Sequence, residues 1–287
     1  MIFMKKIKSN LRLTVQIIFT ALTNGYLLGY MEGKIYKGKS KQMCVPGLNC
    51  YSCPGAIGSC PIGSLQAVLG SKNFKMSFYV IGFLMIIGSL IGRVVCGWLC
   101  PFGLVQDLLY KIPGIKKIKK VPYDKYLRYL KYIILAVFVI ILPLALTNYS
   151  GYGSPWFCKL ICPSGTLLAG IPLVSMNESL RNVVGYLFAW KMLILIAVVI
   201  LSIKIYRPFC KYICPLGAIY GILNKYSLYR LEIDYDKCVK CDLCHKKCDM
   251  NVVVHETPNS AECIRCGKCI GVCPKNAIKS TISIKKD

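Results

Sequence analysis

Carboxylates and histidines are what this chain has least of. Asp and Glu number 12 against 37 Lys and Arg, and only Glu32, Asp107, Asp124 and Glu178 precede residue 231. Histidine occurs twice, at His245 and His255. With so few groups able to take or give protons near neutral pH, no general acid–base constellation stands out, and no substrate-transforming site is expected. Asp107 reads as part of a solvated helix face, its rival role being a proton carrier beside a quinone. His245 and His255 read as solvated residues, not ligands.

Also missing is any balance between the two ends. Residues 231–287 hold 10 basic and 8 acidic side chains, whereas residues 1–230 hold 27 and 4. The formal charge of +25 therefore belongs almost wholly to the apolar part. Hydrophobic residues make up 55% of the chain and mean hydropathy is +0.52, which points to a membrane protein. Nucleic-acid binding is disfavoured, because the lysines flank apolar runs, where juxtamembrane charge belongs. The basic, then apolar, N-terminus lacks an A-x-A site and reads as an uncleaved anchor.

Cysteine is abundant. Cys238, Cys241, Cys244 and Cys248 are followed by Cys263, Cys266, Cys269 and Cys273, so C-x2-C-x2-C-x3-C occurs twice. This is the spacing of a two-cluster bacterial ferredoxin, in which the fourth cysteine of each run crosses to the other cluster. Cys238, Cys241, Cys244 and Cys273 are thus expected to hold one [4Fe–4S] cluster, and Cys263, Cys266, Cys269 and Cys248 the other. Zinc is the rival, but two runs of four fit paired C-x2-C zinc sites poorly. Such clusters require a reducing compartment, so this domain, residues 231–287, is expected in the cytoplasm.

Four apolar stretches are long enough, or nearly so, to cross a ~30 Å hydrocarbon core: 11–30, 77–95, 128–147 and 189–206. The stretch 163–176, short and carrying Pro172, reads as a half-helix or interfacial segment. The lysine-rich loop 111–125 favours the cytoplasmic side, which places both termini there. Six lysines in the loop 31–76 oppose this orientation. Tyr123, Tyr126, Tyr129 and Tyr132 read as an interfacial aromatic belt.

The motif C-P-x-G occurs at Cys60, Cys100, Cys162 and Cys214, and three copies extend to C-x3-C-P through Cys96, Cys158 and Cys210. Pro at the first helical position would put each cysteine at a helix N-terminus, which favours negative charge. Three C-x3-C-P turns at span ends argue against structural cysteines alone. A radical-SAM reading needs C-x3-C-x2-C, and Gly103, Gly165 and Gly217 occupy the third position. The turns alternate outer, inner, outer, inner, as in a parallel internal repeat. The inner pair brings Cys96, Cys100, Cys210 and Cys214 to one cluster. The outer pair offers Cys60, Cys158 and Cys162, with Cys53 the nearest fourth ligand and Cys50 the next. Cys44 and Cys50 are left to form a disulfide, to replace Cys53, or to serve another centre.

Through CGWLCPFG (96–103), CKYICPLGAIYG (210–221) and the two ferredoxin runs, the chain resembles the NapH/NosR/CcoG-like membrane polyferredoxins over most of 77–280. The segment 44–63 and the outer CKLICPSG (158–165) are not typical of NapH itself. The resemblance implies a multi-pass protein of the inner membrane that carries electrons across it. The fold expected is an all-α membrane four-helix bundle with a pseudo-twofold parallel repeat, over 1–230. To it is joined a small α+β bacterial 2[4Fe–4S] ferredoxin-like domain. Cofactors are two to four [4Fe–4S] clusters, with a quinone as a further candidate. Partners are redox proteins on one or both faces (ferredoxin, flavoprotein or reductase) and lipid, not nucleic acid. The alternative is a redox sensor or a maturation factor for a membrane oxidoreductase.

Overall fold

The computed structural model describes residues 2–71, 77–119, 121–146 and 153–282, with side chains from Leu11 onward except Ser77. Lys72, Lys75, Lys120, Thr147 at the end of the third expected span, and residues 283–287 lie outside the described residues.

The chain is mostly helical. Apolar helices stand at all four expected positions: Ile2–Thr23, Ser77–Ile91, Asp124–Ala145 and Tyr186–Lys204. Two of them, Asp124–Ala145 and Tyr186–Lys204, are long and apolar enough to cross a membrane, while Leu11–Thr23, Phe78–Ile91 and Pro163–Met176 are shorter. Helix Tyr186–Lys204 buries Leu195 and Val198 but turns Leu193, Ile196 and Ile200 outward. An apolar surface of this kind on both sides of a helix asks for a non-aqueous neighbour. In the third helix wide π turns over Leu135–Ile141 precede Pro143, whose ring cannot join regular α-helical bonding.

All four C-P-x-G cysteines cap helices, and in each the proline occupies the first turn: Pro61–Leu69, Pro101–Tyr110, Pro163–Gly165 (continuing to Met176) and Pro215–Asn224. The extended backbone at Cys60, Cys100, Cys162 and Cys214 is what the residue before a proline adopts.

The cysteine-rich C-terminal unit begins with strand Tyr229–Ile233, which pairs antiparallel with Ile278–Ile282 and aligns Leu231 with Ser280. Between the strands each cysteine run contains a short helix, Leu243–Lys247 or Lys268–Val272, that carries its third cysteine and ends at its fourth. The two runs repeat the same backbone. Left-handed residues recur at Lys240 and Arg265, Asp242 and Gly267, and Asn251 and Asn276. One hydrophobic core links this unit to the apolar helices and to the cysteine-proline turns, where the rings of Phe102 and Phe209 meet edge-on at 5.1 Å.

Candidate iron–sulfur sites

The left-handed turns beside each run wrap backbone around its thiols. Cys238, Cys241 and Cys244 line one small cavity together with Cys273 of the opposite run, and Cys263, Cys266 and Cys269 line another together with Cys248. The first faces outward, with Cys241 exposed. The second shares its lining with Tyr206, just beyond helix Tyr186–Lys204. Burial pushes the Cys263 thiol up to about 12, so iron uptake at neutral pH displaces its proton. His255 borders the first cavity and is mostly buried, with its imidazole 3.6 Å from Asp242, so it does not fit the solvated reading. The ring Nδ1 of His245 lies 3.0 Å from the Val252 carbonyl.

The C-terminal unit docks tightly on the first inner turn. Trp98 Nε1 donates to the Arg265 carbonyl at 3.2 Å, and Asn224 donates to the Ser260 and Cys263 carbonyls at 2.7 and 3.1 Å. Gly97 is required here, since a Cβ would stand 2.5 Å from the Ile264 carbonyl oxygen.

Cys96, Cys100, Cys210 and Cys214 are all buried, and Cys214 lies within electrostatic reach of the other three. Two arginines cross between the halves. Arg93, three residues before Cys96, donates to the Cys210 carbonyl at 3.1 Å, and Arg207, three before Cys210, donates to the Cys96 carbonyl. Each guanidinium also lies beside the C-P-x-G glycine of the opposite turn, Gly217 or Gly103. Asp107 takes both Arg207 and Arg12, at 2.6 and 2.7 Å, and is 2% exposed, which corrects the solvated-face reading. Burial works against its ionised form, but Arg207 and then Arg12 hold the carboxyl below the usual carboxylate range. Glu262 likewise takes Arg93 at 2.9 Å and Lys131.

Two glutamines form matching clamps. Gln106 accepts the Phe209 N–H at 3.2 Å and donates to Cys210 Sγ at 3.1 Å. Gln66 accepts the Phe157 N–H at 2.9 Å and donates to Cys158 Sγ at 3.4 Å. Sequence reasoning passed over these residues. The signals were present, as Arg three before a C-x3-C-P and Gln six after a C-P-x-G cysteine, each occurring twice.

The expected outer set is brought together only in part. Cys60, Cys158 and Cys162 line a cavity of about 740 Å³, but Cys53 does not, and Cys50 and Cys44 do. The segment between Cys44 and Cys60 dips inward. A Cβ on Gly47 would stand 3.2 Å from Cys100 Cα and 3.1 Å from Pro101 Cδ. The fully buried Tyr220 donates to the Pro46 carbonyl at 3.1 Å, with Cys96, Cys60, Cys100 and Cys44 as its neighbours. None of the eighteen cysteines is disulfide-bonded, Cys44 and Cys50 included.

The donor chemistry fits cubane clusters better than zinc. A tetrahedral zinc site with Zn–S near 2.3 Å would draw thiolates to within ~3.8 Å of one another. Among the described residues no group of three or more Cys, His, Asp or Glu side chains is placed to hold a single metal ion. A cubane spreads its ligands over separate irons and does not ask for it.

Comparison with known proteins agrees. A family described as a 4Fe-4S binding domain matches residues 74–120, 134–176 and 187–232, and a second of the same description matches 257–279. An uncharacterised protein of Methanocaldococcus jannaschii is 34% identical over 204 residues, which is 71% of this chain and 78% of that protein. The putative electron transport protein YccM of Escherichia coli is 25% identical, over 81% of this chain and 65% of its own length. The ferredoxin-type protein NapH of Haemophilus influenzae is 28% identical, over 70% and 65%. The matches thus span just under two thirds of these last two relatives. No solved structure matches the chain. Paired cysteine-proline turns, two ferredoxin runs and these relatives lead to one assignment: the chain belongs to the NapH-like family of 4Fe–4S ferredoxin-type proteins, and [4Fe–4S] clusters are its cofactors.

Proposed function

We propose that this protein is an integral-membrane conduit for electrons, with its N- and C-termini on the cytoplasmic side of the inner membrane. The helices Ile2–Thr23, Ser77–Ile91, Asp124–Ala145 and Tyr186–Lys204 would form a four-helix bundle of two parallel repeats, and residues from 231 onward the cytoplasmic ferredoxin domain. The outward apolar side chains of these helices and the lysines of 111–125 support that reading. Redox proteins would meet it at one or both faces, as the name of YccM as a putative electron transport protein suggests.

The ferredoxin and outer ligand sets follow the cavities, and the inner set follows burial and mutual electrostatic reach. Cys238, Cys241, Cys244 and Cys273 form the most exposed cage, and Cys263, Cys266, Cys269 and Cys248 the next. Cys96, Cys100, Cys210 and Cys214 form the inner cage, and Cys60, Cys158 and Cys162 supply three ligands of an outer one. Bound clusters supply one-electron transfer. The chain's own part is spacing, exclusion of water and compensation of charge. Trp98 and Gly97 bring the second ferredoxin cage against the inner turn. Arg93 and Arg207 set buried positive charge beside the inner thiols, which favours a negatively charged group there.

One observation carries this reading: the Pro46–Gly47 backbone reaches the inner turn and packs on Cys100 and Pro101. The inner and outer cysteines are therefore separated by one loop, not by the ~30 Å depth of a bilayer core. Irregular backbone at such depth is tolerated where protein buries it. The test uses the full protein, loaded with iron and sulfide, in sealed proteoliposomes that enclose ferricyanide. External dithionite is expected to bleach the trapped oxidant only when clusters are present. Trapped oxidant that stays coloured would overturn the conduit.

A further inference from the structure

In the inner cage each half gives two thiols, from turns of the form C-x3-C-P. In the outer cage the second half does the same with Cys158 and Cys162. The first half gives Cys60, and the residue four before it is Ala56, fully buried and without a ligating atom. A fourth ligand must come from another part of the 44–60 segment.

Cys53 is poorly placed for this role. It is fully buried, its thiol and the Tyr30 hydroxyl share a hydrogen bond at 3.1 Å, and it donates to Asn24 Oδ1 at 3.7 Å. It has no share in the lining of the 740 Å³ cavity. Two cysteines of the segment line that cavity with Cys60, Cys158 and Cys162: Cys44, whose thiol accepts from Ser59 Oγ at 4.0 Å, and Cys50. Cys50 lies within electrostatic reach of Cys162, and both Cys60 and Cys158 lie within reach of it. The C-P-x-G glycines open the space between them. A Cβ on Gly165 would stand 3.6 Å from Cys50 Sγ and 3.9 Å from Cys162 Sγ, and one on Gly63 would stand 3.8 Å from Cys158 Sγ.

Two independent features mark the place as one built for a charged sulfur group. The Gln66 clamp on Cys158 repeats the Gln106 clamp on Cys210, with the same acceptor and donor roles. A side-chain N–H aimed at sulfur gains most when the sulfur is a ligating thiolate. The cavity also holds Lys41 and Lys191, and no carboxylate is found among the described residues that line it.

We infer that Cys50, Cys60, Cys158 and Cys162 bind an outer [4Fe–4S] cluster, with Gln66 as a positioning residue that donates to one of its ligands. Cys53 stays a thiol of the core. This deepens the conduit reading and rests on it only for what the site is for. Residues 44–63 lie outside every segment matched by the 4Fe-4S families.

The test is anaerobic iron and sulfide counting with EPR on the full protein, reconstituted with iron and sulfide. The parent is expected to hold about sixteen irons, four per cubane. Cys50→Ala should hold about four fewer and lose one EPR signal, while Cys53→Ala keeps both. The signals of the ferredoxin cages report folding in each variant. Cys50→Ser, which offers an oxygen ligand, should retain that signal with altered g-values and so identify the ligand even if the alanine variant fails to fold. Gln66→Leu should move the same signal to a more negative midpoint, because loss of an N–H donor disfavours the more negative reduced state. Iron loss in Cys53→Ala, with or without loss in Cys50→Ala, would overturn the assignment. So would unchanged iron in Cys50→Ala, about twelve irons in the parent, or zinc in the outer site. A midpoint unmoved by Gln66→Leu would remove Gln66 from the proposal. Proteoliposomes that fail to pass electrons while Cys50→Ala still loses four irons would defeat the conduit and leave the site standing.

Discussion

Glu262 stands to Arg93 as Asp107 stands to Arg207. Each carboxylate holds the guanidinium that crosses to the opposite inner turn, at 2.9 and 2.6 Å, and each also holds a second cation, Lys131 or Arg12. Asp107 lies seven residues after Cys100, on its own helix. The matching position seven after Cys214 is Gly221, where a Cβ would stand 3.1 Å from the Ala261 carbonyl. The second inner turn thus lacks the acid that the first one carries, and Glu262 of the C-terminal unit takes that role.

Glu262→Gln should therefore loosen the docked ferredoxin domain more than the cages themselves. It would leave Arg93 and Lys131, both fully buried, without a counter-charge. Removing one partner of a buried pair costs about 3–5 kcal/mol. Hydrogen exchange is the check: amides of 257–266 and of 93–98 should lose protection together. Unchanged protection there would mean that the hydrogen bonds of Asn224 and Trp98 hold the domain without the charge.

Acidification should reveal the same two carboxylates. Burial opposes their charge, but Arg207 for Asp107 and Arg93 for Glu262 hold both below their ordinary values. A depressed carboxylate contributes stability that is complete above its unfolded value, near pH 4. That stability disappears as pH falls through the lower folded value. Melting temperature should thus be flat above about pH 5 and fall below it. Asp107→Asn should melt lower at neutral pH and show a shallower acid limb. Parallel pH curves for the parent and the variant would count against the assignment.

What the sequence discloses depends on how local each device is. The ferredoxin cavities take the eight cysteines in the two groups that a fixed spacing suggests, because left-handed turns at Lys240 and Arg265, and again at Asp242 and Gly267, recur with that spacing. The inner four stand out as a candidate set because both halves repeat Cys-x3-Cys-Pro. Asp107 and Glu262 were not legible. A lone acid in a basic chain looks solvated until its partners appear, and those lie 95 to 169 positions away along the chain. Cys50 was obscured for another reason. The 44–60 loop has no period, so proximity in sequence favoured Cys53, whereas the fold turns that thiol to Tyr30. Two of the four apolar helices are both long and apolar enough to cross a membrane, so the number of crossings rests on the other pair.

Gly97→Ala tests the contact between the ferredoxin domain and the inner turn. The added carbon would meet a backbone carbonyl, that of Ile264, at 2.5 Å, and a backbone atom cannot swing aside as a side-chain tip can. Overpacking of this kind costs about 1–3 kcal/mol. Iron content should be unchanged, since no ligand is touched. Stopped-flow reduction should show the ferredoxin signals reduced at the parent rate and the inner signal delayed behind them. A variant with lost iron, or with no delay, would show that the glycine serves folding alone.

Tyr220 offers the sharpest probe of the link between the inner and outer cysteines. Its ring is fully buried beside Cys96, Cys100 and Cys60, and its hydroxyl satisfies the Pro46 carbonyl of the loop that dips to the inner turn. Tyr220→Phe keeps the ring and leaves that carbonyl unpaired, at a cost of about 1–3 kcal/mol. Tyr220→Ala also opens a cavity and should cost about 3–5 kcal/mol. If the loop's position is what brings the two cages near each other, the phenylalanine variant should keep its iron and its inner and outer midpoints. The alanine variant should lose magnetic coupling between the two centres, seen as narrowed EPR lines in the fully reduced protein. Coupling that survives Tyr220→Ala would mean that Gly47, packed on Cys100 and Pro101, holds the loop by itself. Gly47→Val would then be the substitution that separates the cages.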